Sequence, residues 1–312
     1  MNVLNTISDI RSALDNPRRQ GKTIGLVPTM GALHEGHIAL ISEARATCDL
    51  VVVSIFVNPT QFGPNEDLDR YPRTPETDLE ACRNAGVDYV FHPSANEMYP
   101  NPDFVRFNIV EMADHLCGST RPGHFNGVLQ VVNKFLQIVQ PTDAWFGQKD
   151  IQQFILIETM AREFNIPVRI HRGETVRESD GLALSSRNRY LSESERGVAG
   201  SLYATLQFVS GTIWSSGEVG GGDHWTGEGR PETRAVLQEE REESILADEQ
   251  VLMRVVAEGK AMLTASGFKI DYISVVDYGT LQPQNRIVSG RRYIVAAAGW
   301  LGKTRLIDNI IV

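Results

Sequence analysis

Residues 28–37 read PTMGALHEGH, with His34 and His37 three apart and Gly36 just before the second. Two imidazoles at that spacing could be metal ligands, a base with its helper, phosphate ligands or packing residues. A short β-rich run, residues 23–27, leads in. Helical spacing over residues 37–47 leads out, with Ile38, Ile41 and Ala44 on one face. The pair therefore sits where a strand hands over to a helix. Backbone N–H groups at a helix start, with the positive end of its dipole, form an anion site. Gly31 and Gly36 let the chain approach a ligand closely. Histidine can donate to phosphate oxygens and can carry positive charge as a transition state develops negative charge. These features favour a phosphate-bearing ligand. Zinc fits less well, because HEGH lacks the i,i+4 spacing of HExxH and no further ligand cluster is near in sequence.

Three other polar stretches repeat the pattern. VNPTQFGPNED (residues 57–67) follows a second apolar run, and its amides Asn58 and Gln61 can read hydroxyl and carboxylate groups; alone it would be a turn. FGQKDIQQ (residues 146–153) follows a third run. Its Lys149 is a point charge suited to phosphate, Asp150 can accept from ribose hydroxyls, and Gln153 offers another amide. RESDGLALSSRNR (residues 177–189) places Ser185, Ser186 and Arg187 in a row, which suits a mobile clamp over phosphates.

The elements that must position these loops alternate. Residues 50–57 (LVVVSIFV) form a continuous β-branched run, as in a strand buried on both faces. Residues 74–85 and 151–165 have helical spacing, as does 125–140 (FNGVLQVVNKFLQIVQ); short strands are expected at 87–91, 144–146 and 168–170. Strands alternating with helices predict an α/β fold whose parallel sheet is covered by helices on both faces, within residues 1–177. Ligands then bind beyond the carboxyl ends of the strands, where all four stretches lie. Residues 178–312 predict a smaller α+β domain with an antiparallel sheet. It has a helix at 192–207 (Ser192 as N-cap, Glu195 three residues on), a helix at 232–264, and strands at 270–276, 292–298 and 304–311. A glycine-rich acidic stretch at about 215–250 reads as a surface excursion.

The chain has 312 residues and a formal net charge of −9, with 42% hydrophobic and 22% charged residues. That is a globular composition. The acidic balance argues against nucleic acid, and no apolar run is long enough for a membrane helix. The first residues lack the pattern of a secretory leader, and Cys48, Cys82 and Cys117 are scattered. Both features fit a cytoplasmic protein.

Taken together, these stretches resemble the pantothenate synthetase (pantoate–β-alanine ligase) family of the HxGH nucleotidyltransferase superfamily. PTMGALHEGH is similar to its HxGH signature. VNPTQFGPNEDLDRYPRT, RPGHFNGV, FGQKDIQQ, SDGLALSSRNRYL and the closing YIVAAAGWLGKTRLIDNI are similar to its other signatures, in the same order. The resemblance implies a Rossmann-like sheet domain, a C-terminal lid domain and a homodimer. It implies condensation of pantoate with β-alanine through a pantoyl adenylate, using ATP with Mg²⁺ and releasing pyrophosphate and AMP. It also implies that Met30, Gly31, Ala32, Leu33, His34, Glu35, Gly36 and His37 line the ATP site, with His37 as proton donor. Gly147, Gln148, Lys149, Asp150 and the backbone of Val176 would hold the nucleotide. Leu184, Ser185, Ser186 and Arg187 would close on the triphosphate, His34, His37, Lys149 and Arg187 being the catalytic set. Gln61 and Gln153 would hold pantoate, and Asp78 would touch Mg²⁺. The stretch at 215–250 departs from the family pattern. An adenylyl- or cytidylyltransferase shares HxGH but has no use for the paired Gln61 and Gln153. A catalytically silent nucleotide-binding protein would be expected to lose His34, His37, Lys149 or Arg187, and all four are present.

Overall fold

Residues Leu50–Ile55 read LVVVSI, and nearly every one is buried: Val52 packs into one helical layer, Val51 and Val53 into the other. That two-sided burial is what the β-branched run predicts. The computed structural model describes residues 1–64, 66–101, 105–216 and 244–312. Its first part runs β1 (Asn2–Leu4), α1 (Ile7–Arg19), β2 (Ile24–Thr29), α2 (Glu35–Thr47), β3 (Leu50–Ile55), α3 (Pro75–Asn84), β4 (Tyr89–Phe91), α4 (Ala95–Met98), α5 (Cys117–Thr120), α6 (His124–Val139), β5 (Asp143–Gly147), α7 (Ile151–Glu163) and β6 (Arg169–Gly173). The six strands form one parallel sheet in the order β1-β4-β3-β2-β5-β6. From β2 the chain builds outward to β3 and β4, then returns to add β5 and β6 on the other side. The order therefore reverses between β2 and β5, where ligands of such sheets bind. Helix α2 covers one face through Leu40, Ile41 and Ala44, and α6 and α7 cover the other.

The chain continues with α8 (Glu193–Ala199), α9 (Ser201–Ser216), β7 (Ile245–Ala247), α10 (Glu249–Ala265), β8 (Lys269–Asp277), β9 (Ile287–Val288), β10 (Tyr293–Leu301) and β11 (Thr304–Ile311). β11, β10 and β8 form an antiparallel sheet in that order, and β7 pairs with β9. β10 alternates: Val295 and Ala297 face the core shared with α9 and α10, while Ile294 and Ala296 join the core of α6 and α7. The two sheets thus share an apolar boundary.

Some sequence expectations change. β1 and α1 carry no expectation; the three-residue β1 lies at the sheet edge and shows no readable periodicity. The single helix expected at 192–207 is two. Ser192 and Glu195 do form a capping box, but the first helix stops at Gly200, where a side chain would meet the Asp180 carbonyl at 2.6 Å. Residues 217–243 lie outside the described residues, so most of the expected excursion, and residues 232–243 of the helix expected at 232–264, lie there too. The described residues at its two ends belong to regular elements. Ser215 belongs to α9, and residues 245–247 are a strand with Leu246 and Ala247 buried against β9. The three cysteines are free and buried.

Candidate active site

β2 ends at Thr29, and the chain turns through Gly31 at φ +79° and Ala32 at φ +50°. A left-handed residue followed by a second one needs a brace, and Asp78 of α3 supplies it. Its buried carboxylate accepts from the N–H of Ala32 at 2.9 Å and of Leu33 at 2.8 Å. Both oxygens also receive the Thr74 hydroxyl at 3.3 Å. The structure places Asp78, the expected Mg²⁺ contact, beside this loop, with both carboxylate oxygens accepting from its backbone.

His34 is the N-cap of α2. Its Nδ1 accepts from the N–H of Gly36 at 3.2 Å, and its own N–H donates to Nδ1 of His37 at 3.3 Å. This is a capping box built from two imidazoles, with ring centroids 4.1 Å apart. Each ring accepts at Nδ1, so its neutral form carries the proton on Nε2. Burial, reinforced by Lys149, pushes His34 down to about 4. Burial, reinforced by His34, pushes His37 down to about 3. Both are neutral at pH 7. The rings cap backbone donors of the helix start at Nδ1, which leaves Nε2–H of each as the group able to donate, as expected of a histidine facing phosphate.

The turn after β3 supplies the second wall. Asn58 donates to Oε1 of Gln61 at 3.1 Å and to the Gly127 carbonyl at 3.1 Å, and accepts from the Tyr99 hydroxyl at 2.8 Å. Gln61 is 7% exposed, and its Nε2 lies 3.2 Å from the Met30 sulfur. α6 approaches this turn so closely that a Cβ on Gly127 would lie 2.3 Å from the Thr60 carbonyl oxygen. His124, at the start of α6, donates from Nδ1 to the Gln61 carbonyl at 2.7 Å and accepts at Nε2 from Arg121 at 2.8 Å. Burial and the Arg121 charge push its pKa down to about 4. Both ring nitrogens are occupied, and His124 holds the Gln61 backbone.

β5 ends in the Gly147–Asp150 turn, where Lys149 Nζ lies 3.6 Å from Asp150 Oδ1. The buried Asn309 of β11 donates to the carbonyls of Gln148 at 2.9 Å and Lys149 at 3.0 Å. A fourth wall comes from residues 184–187. The N–H of Leu184 donates to the Val176 carbonyl at 3.0 Å, and Ser185 caps the short turn that carries Arg187.

These walls enclose a cavity of about 230 Å³. Met30, His34, Gly36, His37, Gln61, Gly147, Lys149, Asp150, Gln153, Val176, Leu184, Ser185, Ser186 and Arg187 line it. A larger cavity, about 670 Å³, extends toward the C-terminal sheet and shares Arg121, His124, Lys149, Asp150, Gln153, Ser185 and Arg187 with the first. Gly31, Ala32, Leu33, Glu35 and Gln148 line neither: the first three form the braced turn, Glu35 is exposed on α2, and Gln148 is tied to Asn309. Sequence reasoning did not single out Arg121, His124, Asp67 or Asn309. Arg121 and His124 open the quoted RPGHFNGV, a signal in itself, whereas Asp67 and Asn309 act only through partners distant in sequence.

Known proteins match along almost the whole chain. The Pantoate-beta-alanine ligase family model matches residues 2–311. The pantothenate synthetase of Pseudomonas putida KT2440 is 44% identical, the match covering 99% of this chain and 97% of that one. That of Thermotoga petrophila is also 44% identical, with 100% of both chains covered. Among solved structures, pantothenate synthetase from Thermus thermophilus superposes with a TM-score of 0.83 at 38% identity, covering 99% of each chain. Pantoate-beta-alanine ligase from Francisella tularensis, complexed with beta-gamma ATP and beta-alanine, gives 0.74 at 34% identity, covering 100% of this chain and 97% of that one.

Proposed function

The chain belongs to the pantoate–β-alanine ligase family, which joins pantoate to β-alanine using ATP, and on that premise we propose how its crevice divides the work. The carrying observation is one cavity that brings together His34, His37, Lys149 and Arg187, suited to phosphate, and Gln61 and Gln153, suited to a small hydroxy acid.

In the first step a pantoate carboxylate oxygen attacks the α-phosphorus of ATP. The new acyl–O–P bond forms as the bond to the β-phosphate oxygen breaks, and pyrophosphate leaves. The chain's part is orientation and charge stabilisation. Gln61 and Gln153 hold pantoate, with Gln61 fixed by Asn58 at its amide and by His124 at its carbonyl. The Nε2–H groups of His34 and His37 donate to the phosphates without needing to be cationic, while Lys149 and Arg187 supply the charge. Gly147, Asp150 and Val176 hold the nucleoside. In the second step the amine of β-alanine attacks the acyl carbon, the C–N bond forms, AMP departs with the C–O electrons, and the nitrogen loses a proton. Water exclusion by the enclosing walls protects the adenylate meanwhile.

Among the described residues no three His, Cys, Asp or Glu side chains lie together as a metal cage, and Asp78 is already committed. We therefore assign Mg²⁺ to the substrate: it arrives on the ATP phosphates, the usual habit of this ion. A cytoplasmic homodimer follows from the family resemblance, and light scattering tests the dimer. A substrate-omission assay tests the reaction. Pyrophosphate release should depend on pantoate, and AMP and pantothenate should appear only with β-alanine. Pyrophosphate formed without pantoate would point to a different acceptor and sink the reading.

A further inference from the structure

We propose that Asp67 is a positioning residue for the phosphate clamp, gripping Arg187 by one edge of its guanidinium and leaving the other edge for the triphosphate. Asp67 Oδ2 accepts from Arg187 Nε at 3.0 Å and Oδ1 from Nη2 at 2.8 Å. Arg187 and Arg121 both line the two cavities, but the Nη1 of Arg187 has no hydrogen-bond partner among the described residues. The neighbouring pair gives the contrast. Glu66 grips Arg121 in the same way, at 2.7 and 2.6 Å, but the Nη1 of Arg121 donates to His124. Arg121 is used up in structure; Arg187 is held and half free. Adjacent carboxylates thus tie one loop to the pantoate wall through Arg121 and to the phosphate wall through Arg187. Tyr71 to Ser186 at 3.5 Å, and the Tyr190 hydroxyl to the Arg70 carbonyl at 3.1 Å, brace the same two loops. A planar fork fixed on one side loses less freedom when its other side meets a phosphate.

The proposal rests on Arg187 contacting the triphosphate. It makes the two half-reactions separable, since aminolysis of the adenylate involves no triphosphate. Single-turnover pyrophosphate release and β-alanine attack on chemically prepared pantoyl adenylate are measured for Asp67→Ala, Arg187→Ala and the double variant. Asp67→Ala should slow pyrophosphate release about 10- to 100-fold and leave aminolysis within about twofold. On the Arg187→Ala background it should add no more than about twofold, because the two act as a unit. Asp67→Asn, which keeps the volume and one acceptor, serves if Asp67→Ala does not fold. Equal slowing of both half-reactions, an additive loss in the double variant, or a lower KM for ATP at unchanged rate would each overturn the proposal. If Arg187→Ala itself keeps the full rate, the assignment of Arg187 to the triphosphate falls first.

Discussion

At the scale of single residues, the site depends on side chains whose polar atoms are divided between holding structure and meeting a ligand. His37 is the clearest case, capping at Nδ1 and, in the proposed reaction, donating at Nε2. His37→Ala should lose about 10²- to 10³-fold in pyrophosphate release, the usual cost of one donor to a developing anion, while ATP binding changes little. Equilibrium binding beside single-turnover kinetics checks this. Gln61→Ala should raise the KM for pantoate more than that for ATP, and the reverse order would show that the walls are misassigned. The histidines also set a pH dependence. His34, His37 and His124 have folded pKa values lowered from 6.5 to about 4, 3 and 4. Below 6.5 the unfolded chain therefore binds protons that the folded chain does not, so stability declines as pH falls from 6.5 toward 4 and is insensitive to these groups above 6.5. Urea unfolding at a series of pH values should show that decline, and a shallower one for His34→Asn. The two imidazoles were legible in sequence by type and spacing. Their tautomer was not, because it depends on which backbone N–H each ring caps.

At the scale of elements, the contact of α6 with the turn after β3 decides where Gln61 sits. Gly127 is the point of closest approach. Gly127→Ala should cost about 1–3 kcal/mol by overpacking and raise the KM for pantoate in the same variant. Thermal unfolding with pantoate kinetics tests both. The buried runs at β3 and β5, and the amphipathic α6 and α7, could be read from the chain because each carries its own periodicity. β1, β7 and β9 could not: they have two or three residues each and become strands only through their partners. The break between α8 and α9 escaped for a different reason: the helical run continues through Gly200, whose own backbone stays helical at φ −62° and ψ −19°.

At the scale of the whole molecule, the C-terminal sheet reaches into the crevice through Asn309, which holds the carbonyls behind Lys149. Asn309→Ala should leave those carbonyls without their donor, cost about 1–3 kcal/mol, and raise the KM for ATP with little effect on that for pantoate. Denaturant unfolding and steady-state kinetics check it. The parallel sheet and the crevice at its carboxyl edge could be foreseen from the order of runs and polar loops. A support arriving from the far end of the chain could not, because nothing local to Asn309 marks it. The strand order has a further consequence, in time. Gly25 pairs with Asp143 and Leu26 with Ala144, so β2 gains its second neighbour only after the intervening strands and helices have been synthesised. Until β5 emerges, a growing chain that has already paired β2 with β3 shows a bare, apolar strand edge. The step that covers that edge also brings Lys149 toward His34 and His37, so one pairing both hides the edge and joins two walls of the crevice, to which residues 184–187 are added later.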